Sequence, residues 1–277
     1  MIISLRGRWA LVLGASSGIG RATALALAAA GVNVAGVHFD TAATAEAVPE
    51  LVAELRGHGV RAEFFNANAA AARTRADLGP LLAELTGGTG FHVVLHSLAF
   101  GSLLPYLPRD GADGTLAKRQ LDMTLDVMAH SLVYWAQDLW GRGLLPVGAK
   151  VFAMTSAGST QALPSYGAVS AAKSALEAHV RQLACELAQH GVAVNALRAG
   201  VTVTPALARI PGHGEFVDHR SMGNPAGRLT RPEDVAEAVV LLSGTDSAWL
   251  TGNVIGLDGG ELLAAGRSWN GSGEDRT

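Results

Sequence analysis

A tyrosine and a lysine at helical spacing are the residues of this sequence best suited to chemistry. Tyr166 and Lys173 lie seven positions apart, at the start of a segment that is predicted to be a long helix. About two helical turns separate them, so both side chains share one face. We expect the lysine charge to lower the pKa of the tyrosine, which could then act as a general acid. Ser156 precedes them and could reach the same substrate oxygen. Taken alone, a half-buried tyrosine and a surface lysine would be the simpler interpretation, so the pair needs a cofactor site beside it.

A glycine-rich turn near the N-terminus predicts such a site. Gly14-Ala15-Ser16-Ser17-Gly18-Ile19-Gly20 separates a short apolar strand from an alanine-rich helix. Glycine lets the backbone approach a phosphate closely, and the free N–H groups at a helix start favour a pyrophosphate. The pattern is weak in isolation and strong where it opens a βαβ unit, as here. The predicted contacts to a dinucleotide are Gly14, Ser16, Ser17, Gly18, Ile19 and Gly20.

An acidic residue indicates which dinucleotide is bound. Asp40 closes the second predicted strand, twenty residues after Gly20. A carboxylate there can accept hydrogen bonds from the adenosine ribose and repels a 2′-phosphate, which favours NAD over NADP. A solvated loop acid is the alternative interpretation, and Arg21 could instead pair with a phosphate. NAD is therefore the predicted cofactor, and NADP stays open.

The elements that must position these residues alternate between strand and helix. Strands are predicted at 9–13, 34–39, 61–66, 91–95, 150–154, 192–197 and 253–257, and helices at 21–30, 46–56, 73–85, 116–141, 167–190 and 232–242. This alternation predicts an α/β fold, a doubly wound parallel sheet of Rossmann type. The whole chain, 1–277, is expected to form one dinucleotide-binding domain with a substrate lid at about 204–227 and a polar, mobile tail at 266–277.

Composition excludes several classes of protein. Hydrophobic residues make up 49% of the 277 positions and charged residues 16%, which argues against disorder. A net charge of −3 without a basic run argues against nucleic-acid binding, and the nine histidines form no ligand motif, so no metal is predicted. We predict neither a signal peptide nor a membrane span. The single cysteine, Cys185, is expected in the core and suits a reducing compartment, so the cytoplasm is the predicted location.

Over about 5–263, the sequence resembles the short-chain dehydrogenase/reductase family. Four stretches carry the likeness besides the glycine turn and the reactive pair: Asn68-Ala69, His96-Ser97-Leu98-Ala99, Val194–Thr202, and Leu257-Asp258-Gly259-Gly260. In the family, the first of these contacts adenine and the third holds the nicotinamide carboxamide. The resemblance implies cofactor contacts by Asn68, Ala69, Ser97, Leu98, Ala99, Thr155, Lys173, Gly200, Val201, Thr202 and Thr204. It also implies a homotetramer.

The position of the tyrosine resembles one subgroup of that family. Most members place tyrosine four before lysine, where this chain has Val169. Tyrosine seven before lysine is similar to the enoyl-acyl-carrier-protein reductases. Three runs share this similarity: His96–Phe100, Ala162–Tyr166 and Lys173–Arg181.

Other positions resemble the ketone-reducing members. Ser156 lies seventeen before Lys173, the spacing of their catalytic serine, and many enoyl reductases have a second tyrosine there. The glycine turn also has the ordinary family form. Asp126, however, stands in place of the catalytic asparagine of ketone reducers, which weakens the proton relay of such an enzyme.

The seven-residue spacing suits hydride addition to an enoyl thioester. The hydride goes to C3 while the charge develops on the oxygen of C1, so the acid must lie further from the nicotinamide than in a ketone reducer. Three residues of helix at about 1.5 Å rise each displace the hydroxyl by several ångströms. Tyr166 would then stabilise the enolate oxygen by hydrogen bonding. Phe100, Leu207 and Ile210 are the predicted substrate contacts, although apolar packing of the lid explains the last two as well.

Three functions therefore remain. The first is an NAD(P)H-dependent reductase of an enoyl thioester, carried on coenzyme A or on an acyl carrier protein. The second is a ketoreductase or alcohol dehydrogenase of the same family, acting on a carbonyl substrate. The third is a dinucleotide-binding sensor without turnover, which would need a broken reactive pair, whereas Tyr166 and Lys173 are both present.

Overall fold

The chain builds one parallel sheet. The computed structural model describes residues 3–108, 114–210, 214 and 224–263. Within that part of the chain, the strands are β1 (Trp9–Leu13), β2 (Asn33–His38), β3 (Ala62–Asn66), β4 (Val93–His96), β5 (Lys150–Ser156), β6 (Ala193–Ala199) and β7 (Val254–Leu257). They pair in the order β3-β2-β1-β4-β5-β6-β7, and every pair is parallel. The predicted doubly wound α/β fold is confirmed.

Helices cover both faces of the sheet. They are α1 (Gly18–Ala29), α2 (Ala42–Ala45), α3 (Val48–Gly57), α4 (Ala72–Leu85), α5 (Lys118–Leu125), α6 (Ser131–Gly141), α7 (Gly167–Leu187) and α8 (Pro232–Ser243). Short 3₁₀ turns occupy Ala157–Ser159, Ala188–His190 and Leu207–Arg209. Most predicted boundaries lie within one to three residues of these, as expected where helix and strand ends are set by local capping and tertiary contacts.

Two apolar layers sandwich the sheet because successive strand residues point to opposite faces. Leu11 and Leu13 of β1 face one layer, which also contains the inner sides of α4, α6 and α7. Ala10 and Val12 face the other, together with α1, α3 and α8. A strand buried on both sides must be apolar at every position, and all five residues of β1 are buried.

Two expectations about the helices were wrong. The single long helix predicted at 116–141 is α5 and α6 joined by a π-helical segment, Asp126–His130. An inserted π turn keeps the apolar periodicity nearly continuous, so the pattern does not reveal it. Cys185, expected in the core, is exposed. Its neighbours Leu183, Ala184 and Leu187 mark the buried stripe of α7, and Cys185 lies to one side of it.

The strand order reverses direction between β1 and β4, and this defines a crevice. Helices after these two strands leave on opposite faces, so a gap opens at the carboxyl ends of the strands, where ligands bind in open α/β sheets. Gly14 follows β1 and Ser97 follows β4, and the predicted site residues after β5 and β6 lie along the same edge. The lid predicted at 204–227 lies only partly within the described residues, and the tail at 266–277 lies outside them.

Two buried histidines should make this fold sensitive to acid. Burial lowers the pKa of His92 to about 4 and that of His96 to about 3, with the charges of Arg8 and Lys173 acting in the same direction. The unfolded chain therefore takes up these protons first, and stability present above pH about 6.5 is lost as the pH falls towards 4. Each histidine should lower the free energy of unfolding by up to about 1.4 kcal/mol per pH unit in that range.

Urea unfolding at pH 7 and pH 5 measures this loss. His92→Gln should make it smaller, because an amide does not titrate, while the same change at the exposed His58 should leave it unaltered. Equal pH dependence in the wild type and in His92→Gln would contradict the assignment.

Candidate active site

The glycine turn has the geometry of a close backbone approach. Gly14 has φ +91°, and a Cβ at this position would lie 2.5 Å from the carbonyl oxygen of Ser97. A Cβ at Gly20 would overlap the carbonyl oxygen of Gly14, so only glycine lets α1 pack this closely on the end of β1. Ser17 is the N-cap of α1 and makes no side-chain cap hydrogen bond. The first N–H groups of α1 therefore suit a pyrophosphate, and the turn fits a dinucleotide.

Asp40 lies beside this turn and is held from several sides. Its Oδ2 is 2.7 Å from Nδ1 of His38, and the hydroxyls of Ser16 and Thr44 lie close enough to act on its pKa. Partial burial acts to raise the pKa of Asp40, but the hydrogen bonds from Ser16, Thr44 and His38 outweigh it and leave the pKa below its usual value. The carboxylate is thus kept ionised near the phosphate turn.

Arg21, the residue that weakened the prediction of NAD, is paired elsewhere. Its guanidinium lies 3.1 Å from Oε2 of Glu54 on α3. The exposed pair occupies the side of α1 that faces α3. Arg21 is therefore not directed at Asp40 in this structure.

The reactive residues share one cavity at the carboxyl edge of the sheet. It is walled by Ser97, Leu98 and Ala99 after β4, by Thr155 and Ser156 of β5, and by Ile19 of α1. The segment after β6 contributes Gly200, Val201, Thr202, Thr204, Leu207 and Ile210. Tyr166 and Lys173 of α7 complete this set of predicted residues.

Tyr166 lies against the end of β5. Its hydroxyl lies close enough to Ser156 for the serine to act on its pKa, and a Cβ added at Gly158 would come within 2.7 Å of its ring. Burial raises the pKa of Tyr166, and the hydrogen bond with Ser156 only partly offsets this. The expectation that Lys173 lowers this pKa is wrong, because desolvation of the phenol is the larger effect. Tyr166 is therefore a protonated donor at neutral pH.

Lys173 is buried, and its ammonium is anchored to the sheet. Nζ donates to the carbonyl oxygen of Met154 over 2.7 Å, and only 5% of the residue is exposed. Burial lowers the pKa of Lys173 to about 8, although Glu177, one turn further along α7, acts to raise it. Glu177 in turn accepts the hydroxyl hydrogen bond of Thr155 over 2.7 Å. The ammonium is thus directed towards the cavity from a fixed base.

Comparison with known proteins decides the family. A family model described as Enoyl-(Acyl carrier protein) reductase matches residues 14–261. The chain belongs to the short-chain dehydrogenase/reductase family. It is accordingly an NAD(P)-dependent oxidoreductase.

Its relatives within the family differ in their reactions. FabI, the enoyl-[acyl-carrier-protein] reductase [NADH] of Escherichia coli strain K12, is 30% identical over 179 residues, which span 63% of this chain and 65% of FabI. An NADPH-dependent aldehyde reductase-like chloroplastic protein of Arabidopsis thaliana is 29% identical over 266 residues, 93% of this chain and 95% of that protein. The crystal structure of enoyl-[acyl-carrier-protein] reductase (NADH) from Aquifex aeolicus VF5 has the same fold, with a TM-score of 0.81 at 24% identity over 94% and 98% of the two chains.

Three residues implied by the family resemblance or predicted as substrate contacts lie outside the cavity wall. Asn68 caps its own loop by accepting from the N–H of Ala70, and the carbonyl oxygen of Ala69 accepts from the indole N–H of Trp135. Both lie at the β3 side of the crevice, beyond the glycine turn. Phe100 is 57% exposed, and its ring lies 5.9 Å from the guanidinium carbon of Arg209. It is therefore positioned at the mouth of the cavity.

The structure adds residues that the sequence did not indicate. Glu261 is buried in the cavity wall, and its Oε2 accepts from the N–H of Val201 over 2.9 Å. The apolar side chains of Leu103, Met128 and Leu163 also line this cavity. Glu261 directly follows the Asp258-Gly259-Gly260 run in the sequence. No sequence pattern around it predicts that its side chain contacts the segment after β6.

The residues that the structure describes contain no cluster of three or more histidine, cysteine or acidic side chains that could hold a metal ion. No helix among them is both long and apolar enough to cross a membrane.

Dinucleotide binding should weaken in alkaline solution because Lys173 loses its proton as the pH rises through about 8. A neutral amine is a poorer hydrogen-bond donor and no longer attracts the negatively charged dinucleotide. The dissociation constant for NADH, followed by its fluorescence between pH 6.5 and 9.5, should rise above pH 8 by up to about tenfold per unit. The Tyr166→Phe variant should show the same rise in the dissociation constant above pH 8. A constant affinity up to pH 9.5 would show that Lys173 does not contribute its charge to binding.

Proposed function

We propose that the protein reduces the carbon–carbon double bond of an enoyl thioester with NADH. The observation that carries this proposal is the pairing of Tyr166 with Lys173 at seven-residue spacing in one cavity. The spacing resembles the enoyl reductases of the family. FabI of Escherichia coli, whose name states that reaction, is among the relatives.

The geometry of conjugate reduction supports the position of Tyr166. A nicotinamide dinucleotide held by the glycine turn and Lys173 would supply a hydride for C3 of the substrate. The charge that develops on the thioester oxygen then needs a donor some distance from that carbon, and a protonated phenol suits this task. Tyr166 is such a donor, since burial raises its pKa. The enolate regains a proton at C2 from solvent.

The other residues are assigned by their placement. Lys173 would donate to the ribose hydroxyls beside the nicotinamide, and the glycine turn with the start of α1 would hold the pyrophosphate. Ser156 would orient the Tyr166 hydroxyl by hydrogen bonding to it. Gly200, Val201 and Thr202 would hold the carboxamide.

NADH is the proposed cofactor because an ionised carboxylate stands where the adenosine ribose is expected. Asp40 is kept ionised by its three side-chain partners, and Arg21 is paired with Glu54. A 2′-phosphate would meet this negative charge without a compensating arginine from α1.

An acyl group fits the apolar side of the cavity. Leu103, Met128, Leu163, Leu207 and Ile210 line it, and Arg209 stands between the last two in the chain. The proposed substrate is thus an acyl thioester of coenzyme A or of an acyl carrier protein. A homotetramer stays a prediction from the resemblance.

Ketone reduction is the second candidate, and one observation favours it. Ser156 and Tyr166 line the same cavity close to each other, as a serine and a tyrosine that both donate to one carbonyl oxygen would. The Arabidopsis thaliana relative is named as an aldehyde reductase-like protein. Asp126 argues against this reaction, because it begins the π segment at the position of the asparagine in ketone reducers and does not line the cavity.

Two thioesters distinguish these reactions. Oxidation of NADH should accompany turnover of a crotonyl thioester and should be at least about tenfold slower with an acetoacetyl thioester, a difference of about 1.4 kcal/mol in the barrier. The assay is the loss of NADH absorbance at matched substrate concentrations. Turnover of the acetoacetyl thioester alone would reject enoyl reduction in favour of the second candidate.

Removal of the phenolic hydroxyl tests whether Tyr166 acts on the substrate. Tyr166→Phe should lower kcat by about a hundredfold or more, the usual contribution of a single acid or oxyanion donor, while NADH affinity stays within about twofold. Ser156→Ala should have a smaller effect in enoyl reduction, where the serine only orients the tyrosine. A dinucleotide-binding sensor would show no turnover even in the wild type. Undiminished turnover in Tyr166→Phe would show that Tyr166 takes no part in the reaction.

A further inference from the structure

The carboxylate of Asp40 has a buried partner on its own strand. His38 is the last residue of β2 and is 6% exposed, and its Nδ1 lies 2.7 Å from Oδ2 of Asp40. An ionised carboxylate can only accept, so the imidazole must donate from Nδ1. The side chains of His38 and Asp40 lie on the same face of the extended chain, as residues two apart in a strand do.

Asn66 holds the backbone of the same segment. Its side-chain oxygen accepts from the N–H of Asp40 over 3.1 Å, and its amide donates to the carbonyl oxygen of Asp40 over 3.1 Å. This amide continues the pairing of β2 with β3 for two residues beyond His38. The main chain at Asp40 is therefore fixed independently of the histidine, and the imidazole acts on the orientation of the carboxylate alone.

The three side-chain partners of Asp40 differ in strength and mobility. Ser16 and Thr44 offer hydroxyls that can rotate, and Thr44 also hydrogen-bonds within the turn, to Thr41. His38 is a rigid ring that packs 6.3 Å from the ring of Phe64, and just 5% of its side chain is exposed. A rigid, buried donor costs little conformational entropy to keep in place, so it fixes the carboxylate more firmly than the hydroxyls do.

We propose that His38 is a specificity-determining residue that acts through Asp40, fixing the carboxylate so that the site accepts the ribose hydroxyls of NADH and rejects the 2′-phosphate of NADPH. This inference rests on the proposed use of NADH. A carboxylate that can turn away from the ribose loses a ribose hydrogen bond and also escapes the repulsion of a phosphate. Loss of the imidazole therefore shifts the balance between the two cofactors rather than weakening both equally.

The test compares dissociation constants for NADH and NADPH, measured by fluorescence titration without substrate. In His38→Leu the ratio of the NADPH to the NADH constant should fall by about tenfold, the effect expected for one hydrogen bond to a charged group. His38→Asn places a side-chain N–H donor near the position of Nδ1 and should keep the ratio within about twofold of the wild type. Leucine at the exposed His58 is the matched control and should leave the ratio unchanged.

A double-mutant cycle separates this role from a general effect on folding. Asp40→Asn should lower the ratio by itself, and His38→Leu should add nothing in that background, because the two residues act as a unit. Thermal unfolding of each variant shows whether it is folded. If His38→Leu does not fold, the ratios in His38→Asn and in a His38→Gln variant decide, and glutamine, whose N–H donor lies one bond further from the backbone than Nδ1, is expected to lower the ratio.

Several results would overturn the inference. The first is a ratio in folded His38→Leu that equals that of the wild type. The second is a fall in the ratio of the same size when His38→Leu is added to Asp40→Asn. The third is an equal loss of affinity for NADH and NADPH. A wild-type ratio near one would reject both the NADH assignment and this role of His38. Failure to reduce a crotonyl thioester would reject the proposed reaction and leave the ratio intact, so the two failures are distinguishable.

Discussion

The hydrogen bond from the Lys173 ammonium to the carbonyl of Met154 is the contact on which the site depends. A buried ammonium is costly unless it is hydrogen-bonded, so this one is stable only while α7 stays docked on the end of β5. That docking places Tyr166, at the start of α7, over Gly158 and next to Ser156. The same charge lies at the carboxyl edge of the sheet, where it can also serve a dinucleotide. One interaction thus links the packing of a helix to the position of the acid.

The cofactor half of the site is formed mainly by backbone atoms and the substrate half by side chains. The cofactor half is mainly backbone, since Gly14 and Gly20 allow contacts that no side chain would permit and α1 presents its first N–H groups. The substrate half consists of side chains on segments that follow β4, β5 and β6. Backbone geometry tolerates little change, whereas loops tolerate much. This accounts for a family in which the dinucleotide is common to all and the substrates differ.

Enoyl and carbonyl reduction differ in the distance between the carbon that accepts the hydride and the oxygen that gains negative charge. Both need a hydride acceptor beside the nicotinamide and a donor for the developing negative charge, and Tyr166 with Ser156 could serve either reaction. In a ketone, the acceptor carbon bears the oxygen, whereas in an enoyl thioester two bonds separate C3 from C1. The position of Tyr166 at the start of α7 suits the longer separation of an enoyl thioester. Ketone reducers carry an asparagine where this chain has Asp126, and this weakens the case for the shorter separation of a ketone.

Much of the architecture was predictable because it rests on local or periodic signals. A short apolar run that ends at a glycine, such as Trp9–Leu13, is typical of a strand buried on both faces. The glycines of the turn and the Tyr166–Lys173 spacing have few other uses together. The π segment at Asp126–His130 was not predictable, because an extra residue in a helix leaves the apolar pattern almost intact. Cys185 was misplaced for a related reason: a rotation of one residue about α7 exchanges core for solvent.

The fold class, the glycine turn, the acidic residue after β2 and the reactive pair follow from residue types and short-range spacing, since each depends on separations of a few helical turns or one βαβ unit. How these groups ionise and which partners they contact depends on the packing of the whole chain. Burial, a property of the whole assembly, raises the pKa of Tyr166 against the expected effect of Lys173. Contacts across many residues, such as Glu261 with Val201 and Arg21 with Glu54, are set by chain packing, and no local pattern encodes them.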